Sequence, residues 1–212
     1  MTRRLTRKEQ QAETRERLLG SAAKVFARRG FQAASLDEIA ADAGFTKGAV
    51  YANFAGKEAL FLAMLDERFA ERRAAIERIA ATGEEPETQV RRGGGEFAQY
   101  LTADPDWQQL FAEMVAHAGR DERFRAALVA RYRDLRAVIA EAYAGRADEL
   151  GVEPPVPVEQ IALMVFAMGN GFAVEKTLEP DAVPDDLFAT MLEIFLTGMR
   201  AMVEEGATAR MA

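Results

Sequence analysis

Apolar residues recur at intervals of three and four along most of this 212-residue chain, which is the spacing of one face of an α-helix. The segments that interrupt the pattern carry glycine and proline, as in 151–157 and 179–184. The pattern predicts an all-α protein of about nine helices. Their ranges are 6 or 14 to 29, 36–43, 47–54, 57–81, 87–102, 104–118, 122–150, 158–178 and 185–205.

Two short helices joined by a tight glycine turn are predicted between Ser35 and Phe54. Ser35 and Glu38 have the spacing of a capping box, in which each side chain satisfies a free backbone N–H group at the helix start. Gly44 follows the first helix, where a left-handed backbone favours glycine, and Thr46 can cap the second helix. This arrangement is typical of a helix-turn-helix, whose second helix lies in the major groove of DNA.

The second of these helices has an outer surface suited to a DNA groove. Val50 and Phe54 are four residues apart and should face inward, which leaves small and polar side chains outside. A surface of this kind lets the backbone approach base edges, although the same geometry also occurs in bundles that bind no DNA. The predicted DNA-binding residues are Ser35, Lys47, Gly48, Ala49, Tyr51, Ala52, Asn53 and Lys57, with Ser35, Tyr51 and Lys57 on phosphates.

The chain from about Thr14 to Leu60 resembles the DNA-binding domain of TetR-family transcriptional regulators. The resemblance is carried by AAKVF at 22–26, GF at 30–31, SLDEIA at 35–40, AGFTKG at 43–48, VY at 50–51, NF at 53–54 and KEAL at 57–60. It implies a helix-turn-helix DNA-binding domain at 1–56 and an effector-binding and dimerisation domain at 57–212. Ala49 departs from the family pattern, which often has threonine there, and the departure removes one base contact.

The last two predicted helices are apolar around most of their circumference. A helix of this kind must be covered on all sides, so the sequence favours an isologous seam with a second copy of the chain. The alternative is that both helices fill the core of a single chain. The predicted seam residues are Phe166, Phe172, Phe188, Met191, Leu192, Phe195 and Met199.

Three consecutive glycines, Gly93 to Gly95, interrupt the helical pattern between Glu87 and Thr102. Three glycines in a helix cost up to about 3 kcal/mol relative to alanine. Either the helix breaks at this point, or close packing of the backbone against another element compensates.

The charge of the chain is divided unevenly between its ends. The formal net charge is −7, yet residues 1–60 carry +4 and residues 61–212 carry −11. A basic module on an acidic body binds phosphate locally and repels it elsewhere. The basic stretch at residues 1–8 either follows DNA phosphates or is a solvated terminus.

Composition argues against an enzyme and against a resident metal or cofactor. The chain has no cysteine, one histidine (His117) and no glycine-rich phosphate-binding motif. It has no uninterrupted apolar run of membrane-spanning length and no signal-peptide core after its basic start. We therefore expect a cytoplasmic protein with no catalytic site, no metal and no membrane partner.

Helical bundles form ligand sites between their helices, so the middle helices are expected to hold an effector pocket. The candidate residues are Phe97, Tyr100, Trp107, Phe111, Met114, Phe124, Tyr132, Met164 and Met168. The sequence thus predicts a homodimeric repressor that binds a palindromic operator and is released by a small-molecule effector. The alternatives are a small-molecule-binding helical protein without an operator, and an enzyme that uses carboxylates in the helical pocket.

Overall fold

A computed structural model describes the backbone of residues 6–211 and the side chains of residues 6–205. Residues 1–5 of the basic arm lie outside this range. Over the described residues the chain forms nine α-helices and no strands, which confirms the predicted all-α fold. They are α1 (Arg7–Ala33), α2 (Leu36–Ala43), α3 (Lys47–Asn53), α4 (Lys57–Ala80), α5 (Pro86–Thr102), α6 (Pro105–Ala118), α7 (Glu122–Leu150), α8 (Val158–Leu178) and α9 (Leu187–Met211).

Helix α1 begins at the earlier of the two starts that the sequence allowed, next to Thr6 and not at Thr14. Thr6 caps it and forms a capping box with Glu9, so the second candidate start, Thr14, lies inside the helix. Gly30 interrupts the helix with a φ of 70°, as a glycine ending would, but the helical path resumes to Ala33. Phe31 packs beside Phe26 with ring centroids 5.4 Å apart.

The chain divides into two compact units. Unit 1 comprises Met1–Arg68 and Gln109–Val129, and unit 2 comprises Phe69–Gln108 and Ala130–Ala212. Helices α4, α6 and α7 each pass from one unit into the other. This division describes packing, and the functional boundary between residues 56 and 57 stays a prediction.

The interior of unit 1 is made by one apolar face of each of its first four helices. These faces meet because their apolar residues are spaced three and four apart, and α1 packs against α2 and α2 against α3. The largest fully buried side chains of these four helices are Leu18, Val25, Phe26, Ile39, Val50, Leu60, Phe61 and Leu65.

Unit 2 contains a core cluster where α5, α8 and α9 meet, and this cluster resolves the question of the three glycines. Helix α5 is continuous through them, and Gly94 is buried against α9. A Cβ atom added to Gly94 would lie 2.5 Å from the Cα of Ala189. This distance is too short for any side chain, so only glycine fits at this position. Close backbone packing therefore compensates for the poor helix propensity of glycine, and the helix does not break.

The same cluster corrects part of the predicted dimer seam. Phe172, Phe188 and Leu192 are buried inside unit 2, so their prediction as seam residues is wrong. Met191 packs against this cluster, and Phe166 packs against a second cluster around Ile139. The apolar pattern of α8 and α9 surrounds both helices, and it therefore did not indicate which side faces the chain's own core.

Helix α8 is long and apolar enough to cross a membrane by length and composition, and it alone among the described helices passes that test. Core helices of other proteins pass it too. Ile161, Ala162 and Phe172 on this helix are buried in the protein, so part of its apolar character is explained by the core of unit 2.

Candidate DNA-binding interface

The turn between α2 and α3 has the geometry that the sequence predicted. Gly44 adopts the left-handed conformation, with φ 71° and ψ 30°, and the N–H of Phe45 donates to the carbonyl of Ala40 at 2.8 Å. The Thr46 hydroxyl accepts from the N–H of Ala49, which caps α3. Val50 of α3 is fully buried. Together with these local bonds, its burial fixes which side of α3 faces the protein and which side faces outward.

The outward surface of α3 consists mainly of small side chains. Gly48 and Ala52 are exposed, and Ala49 is half-buried. A Cβ atom at Gly48 would have only the Thr46 hydroxyl within 4 Å, at 3.7 Å. Tyr51 is the large residue on this surface, and 53% of it is exposed. The backbone of α3 can therefore approach a partner surface closely.

Lys47 lies at the start of α3 and forms an exposed ion pair with Asp37 of α2, with Nζ 3.0 Å from the carboxylate. This hydrogen bond raises the pKa of Lys47 above its ordinary value. An exposed pair of this kind contributes little to stability and exchanges readily for another anion or acceptor.

Two other predicted contacts already have partners within the helix-turn-helix. The Ser35 hydroxyl accepts from the N–H of Glu38, and the backbone N–H of Ser35 donates to the Glu38 carboxylate at 3.1 Å, which confirms the capping box. The Asn53 amide nitrogen donates to the carbonyl of Ala49 at 2.8 Å. The carbonyl oxygen of the Asn53 amide is thus the atom that can accept from a base or from a water.

The capping box at the start of α2 is also tied to α1. Arg29 donates to the Glu38 carboxylate at 2.9 Å, and this bond, with those from Ser35, holds the pKa of Glu38 below its ordinary value. Because the folded pKa is lowered, the stabilising contribution is present at neutral pH and is lost as the pH falls through that value.

Lys57 occupies a position that the sequence did not reveal. Its ammonium donates to the carbonyls of Phe31 (2.9 Å) and Gln32 (3.0 Å) and lies 5.0 Å from the centre of the Phe31 ring. The start of α4 is therefore tied to the end of α1. Two of the three ammonium N–H groups are used in this way, and one remains for a phosphate.

Replacing Lys57 with alanine is expected to lower the free energy of unfolding by about 1–3 kcal/mol, because two backbone carbonyls lose a charged donor. If the remaining N–H contacts a phosphate, the slope of log binding constant against log salt also becomes shallower by about 0.9. Urea unfolding and salt titrations of DNA binding measure the two effects separately. If the variant loses stability but the salt dependence of DNA binding does not change, Lys57 has a structural role and does not contact a phosphate. Lys24→Ala, at an exposed lysine of α1, is the matched control.

Two arginines of α1, which no local sequence pattern signals, position the helix-turn-helix. Arg17 lies over the Phe45 ring at 4.6 Å and donates to the carbonyl of Ala43, which is the last carbonyl of α2. Arg15 lies over the Phe54 ring at 4.4 Å. Both interactions join residues far apart in sequence, so no local pattern signals them.

A small group of possible metal ligands lies elsewhere in unit 1. The ligand atoms of Glu58, His117 and Asp121 all lie within 4.8 Å of one another. The His117 ring nitrogen is 2.7 Å from Glu58, and Asp121 accepts from the N–H of Phe124 at the start of α7. These hydrogen bonds account for the cluster as a junction of α4, α6 and α7, and we assign no ion to it.

The nine candidate pocket residues are divided between the two units. Phe111, Met114 and Phe124 belong to unit 1, where Met114 and Phe124 are deeply buried core residues. The other six belong to unit 2. Within unit 2, Phe97 and Tyr100 are stacked on one face of α5, and Met168 packs against the same core cluster. Tyr132 lies against Phe166, and the pKa of Tyr132 is raised to about 12 by burial, so its hydroxyl stays protonated.

Two models of known protein families match this chain, one near its beginning and one over its later part. Residues 18–64 match the model of bacterial regulatory proteins of the tetR family. Residues 86–201 match the model of the C-terminal part of BetI-type transcriptional repressors. Together the two models span most of the chain, including the helix-turn-helix and all of α8.

Curated relatives are regulators of transcription. The chain is 28% identical to the transcriptional repressor AcnR of Corynebacterium efficiens over 75% of its own length and 79% of that protein. It is 28% identical to the repressor NicS of Pseudomonas putida over 66% of its length and 64% of NicS. It is 31% identical to the activator FasR of Mycolicibacterium smegmatis over 48% of its length and 46% of FasR.

Solved structures show the same fold at low sequence identity. Salmonella enterica GusR superposes with a TM-score of 0.75 at 23% identity and covers 93% of this chain and 98% of its own. The complex of SmeT with triclosan superposes with a TM-score of 0.67 at 22% identity, and the match covers 86% of this chain and 89% of SmeT. SmeT is the repressor of a Stenotrophomonas maltophilia multidrug efflux pump.

Proposed function

We propose that this chain, which belongs to the TetR family of bacterial regulatory proteins, is a homodimeric repressor that binds a palindromic operator and is released by a small-molecule effector. Family membership makes it a DNA-binding regulator of transcription and not an enzyme, as the sequence predicted. The observation that carries the proposal is the surface of α3, where exposed Gly48 and Ala52 lie beside the charged Lys47. Such a helix fits the major groove with its backbone close to the bases.

In this proposal Lys47 exchanges its carboxylate partner for a base. The ammonium leaves Asp37 and donates to the O6 or N7 atom of a guanine. Gly48, Ala49 and Ala52 admit the backbone, and the Asn53 carbonyl oxygen accepts from a base. Tyr51 and the remaining N–H of Lys57 contact phosphates.

Lys47→Ala is expected to relax base preference at one base pair in each half-site by about 1–3 kcal/mol, while binding to non-specific DNA changes little. Affinities for a set of duplexes with single base-pair changes measure this directly. Lys24→Ala removes an exposed lysine of the same unit and should leave the preference intact. An equal loss of affinity on every duplex would assign Lys47 to a phosphate.

A row of exposed apolar residues supports pairing with a second copy of the chain. On α8 the row follows helical spacing through Leu163, Ala167, Gly171, Val174 and Leu178, and Leu178 is 71% exposed. Helix α9, which contacts α8, exposes Leu187, Ile194 and Met202. Exposed apolar residues that follow one another along neighbouring helices are typical of an interaction surface, and a two-fold pair of these helices would cover them.

The dimer is also what operator reading requires. One α3 reads only a few base pairs, and two copies must lie about 34–36 Å apart to enter successive major grooves on one face of the duplex. An effector that binds better to a dimer with another spacing releases the operator, to the extent of its differential affinity for the two states. SmeT, whose complex with triclosan is known, supports a small-molecule effector, and AcnR and NicS support repression.

The alternative is a small-molecule-binding helical protein that has no operator. It would show no binding to a palindromic duplex above its binding to random DNA, at any salt concentration. The proposed regulator should prefer the palindrome and lose affinity steeply as salt rises. We further propose that it acts in the cytoplasm, where its DNA partner is.

A further inference from the structure

Unit 2 holds an arginine that the fold leaves without a hydrogen-bonded partner. Arg72 lies on α4 and is half-buried, and its guanidinium lies 4.9 Å from the centre of the Phe97 ring and 5.3 Å from that of Tyr100. The two rings belong to successive turns of α5 and are inclined by only 20°. The arginine thus rests on an aromatic wall within the bundle.

No hydrogen bond or ion pair joins Arg72 to any residue in the described range 6–205. The nearby carboxylate of Glu96 is bound to Arg78 at 2.6 Å. Burial lowers the pKa of Arg72, but a guanidinium remains charged at any physiological pH. Arg146 of the same unit is also half-buried, and its two terminal nitrogens bind Glu149 and the carbonyl of Glu84, while its Nε has no partner.

A partly desolvated charge is costly unless an opposite charge or hydrogen-bond acceptors compensate it. Contacts with two aromatic rings compensate only part of that cost, since they satisfy the face of the guanidinium and not its N–H groups. The in-plane N–H groups form a fork whose geometry matches a carboxylate. Because Arg72 is only half-buried, an anion can reach this fork from solvent and would neutralise the charge, which water does not.

We propose that Arg72 is the anion-binding residue of the effector site, and that the effector is a small monocarboxylate with an apolar or aromatic body. The carboxylate accepts from the guanidinium fork, and the body packs against the aromatic side chains around Phe97. This inference rests on the proposed function, because it names the effector class of a ligand-released regulator.

The surroundings favour a carboxylate over a phosphate ester. Arg72 supplies a single positive charge, and residues 61–212 carry a net charge of −11. A monoanion is neutralised by one arginine, whereas the second charge of a phosphate monoester would remain in an acidic domain. The wall also extends beyond Arg72, since the Phe97 ring lies 4.9 Å from that of Phe188 and packs over Gly169, where a Cβ would lie 3.3 Å from it.

The test uses the whole 212-residue chain and matched pairs of probes. Benzoate, 4-phenylbutyrate and octanoate are compared at millimolar concentration with benzamide, 4-phenylbutyramide and octanamide, by thermal shift and by the fluorescence of Trp107. At least one acid should stabilise the wild type and bind at least about tenfold more tightly than its amide, the effect of one charged hydrogen bond. If no acid binds, or if the amides bind equally well, the proposal is wrong.

Three variants separate recognition from folding. Arg72→Met keeps the length of the side chain and should lose at least about tenfold in acid affinity. Arg72→Lys keeps the positive charge but lacks the guanidinium fork, so it should retain part of the acid affinity. Arg78→Met removes a neighbouring arginine that is paired with Glu96 and should bind the acid normally. If both Arg72→Lys and Arg72→Met bind the acid as tightly as the wild type, the proposal is wrong. If Arg72→Met does not fold, wild-type acid affinity in Arg72→Lys alone would overturn it.

Operator binding, measured in the same samples, distinguishes this proposal from the function on which it rests. An acid that binds through Arg72 without weakening operator binding leaves the anion site standing and contradicts release by an effector. Amides that release the operator while the acids do not would contradict the anion site and leave release by an effector standing.

Discussion

Ile194→Glu is expected to convert the dimer into a monomer and to weaken operator binding at least about 100-fold. Ile194 is on α9 and 68% of it is exposed, so a single chain tolerates a carboxylate there. In an isologous seam the substitution buries two carboxylates near one another, which is strongly unfavourable. The operator then contacts one α3 at a time, and the gain of about 10²–10⁴ from linking two binding modules disappears.

Sedimentation velocity gives the oligomeric state, and fluorescence anisotropy with a palindromic duplex gives the affinity. Leu150→Glu is the matched control, because Leu150 is half exposed at the end of α7 and outside the apolar row of α8 and α9. This variant should remain a dimer and bind the operator normally. If Ile194→Glu is still dimeric, the seam does not include this part of α9.

Gly94→Ala is expected to destabilise the protein by about 1–3 kcal/mol or more, although alanine is the better helix former. The added methyl carbon would overlap the backbone of Ala189, and backbone cannot move aside as a flexible side chain can. Helices α5 and α9 must separate to admit it. Because α9 also carries part of the proposed seam, dimerisation should weaken together with stability.

The neighbouring glycine provides a direct control for that experiment. A Cβ atom at Gly95 would have no neighbour within 4 Å, so Gly95→Ala should raise the free energy of unfolding by about 0.5–1 kcal/mol. Chemical unfolding of the two variants beside the wild type compares them. Equal effects at both positions would mean that helix propensity, and not the contact with Ala189, governs this segment.

Local signals in the sequence predicted the DNA-binding half of the fold well. The capping box at Ser35, the left-handed Gly44 and the buried Val50 depend on residues within four or five positions of one another, whereas the start of α1 was left open between Thr6 and Thr14. The physics that fixes them is short-range hydrogen bonding and helical periodicity, so a single sequence carries it. The family models then confirmed the regulator that this pattern indicated.

Long-range contacts were not predictable in the same way. The bond from Lys57 to the end of α1 spans 26 positions, and Phe172 is buried where a seam had been expected. Periodicity shows that a side of a helix is apolar, but it does not show what covers that side. The sequence also left open how Gly94 is tolerated, because the answer lies in Ala189 of a helix about ninety residues away.

The central claim is that two copies of α3 enter successive major grooves of one operator. Selection of bound duplexes from a random pool by the full-length protein tests it most directly. The account predicts an inverted repeat whose half-site centres lie about 10–10.5 base pairs, or a multiple of that distance, apart. A single unrepeated motif, or no enrichment above the starting pool, would contradict it.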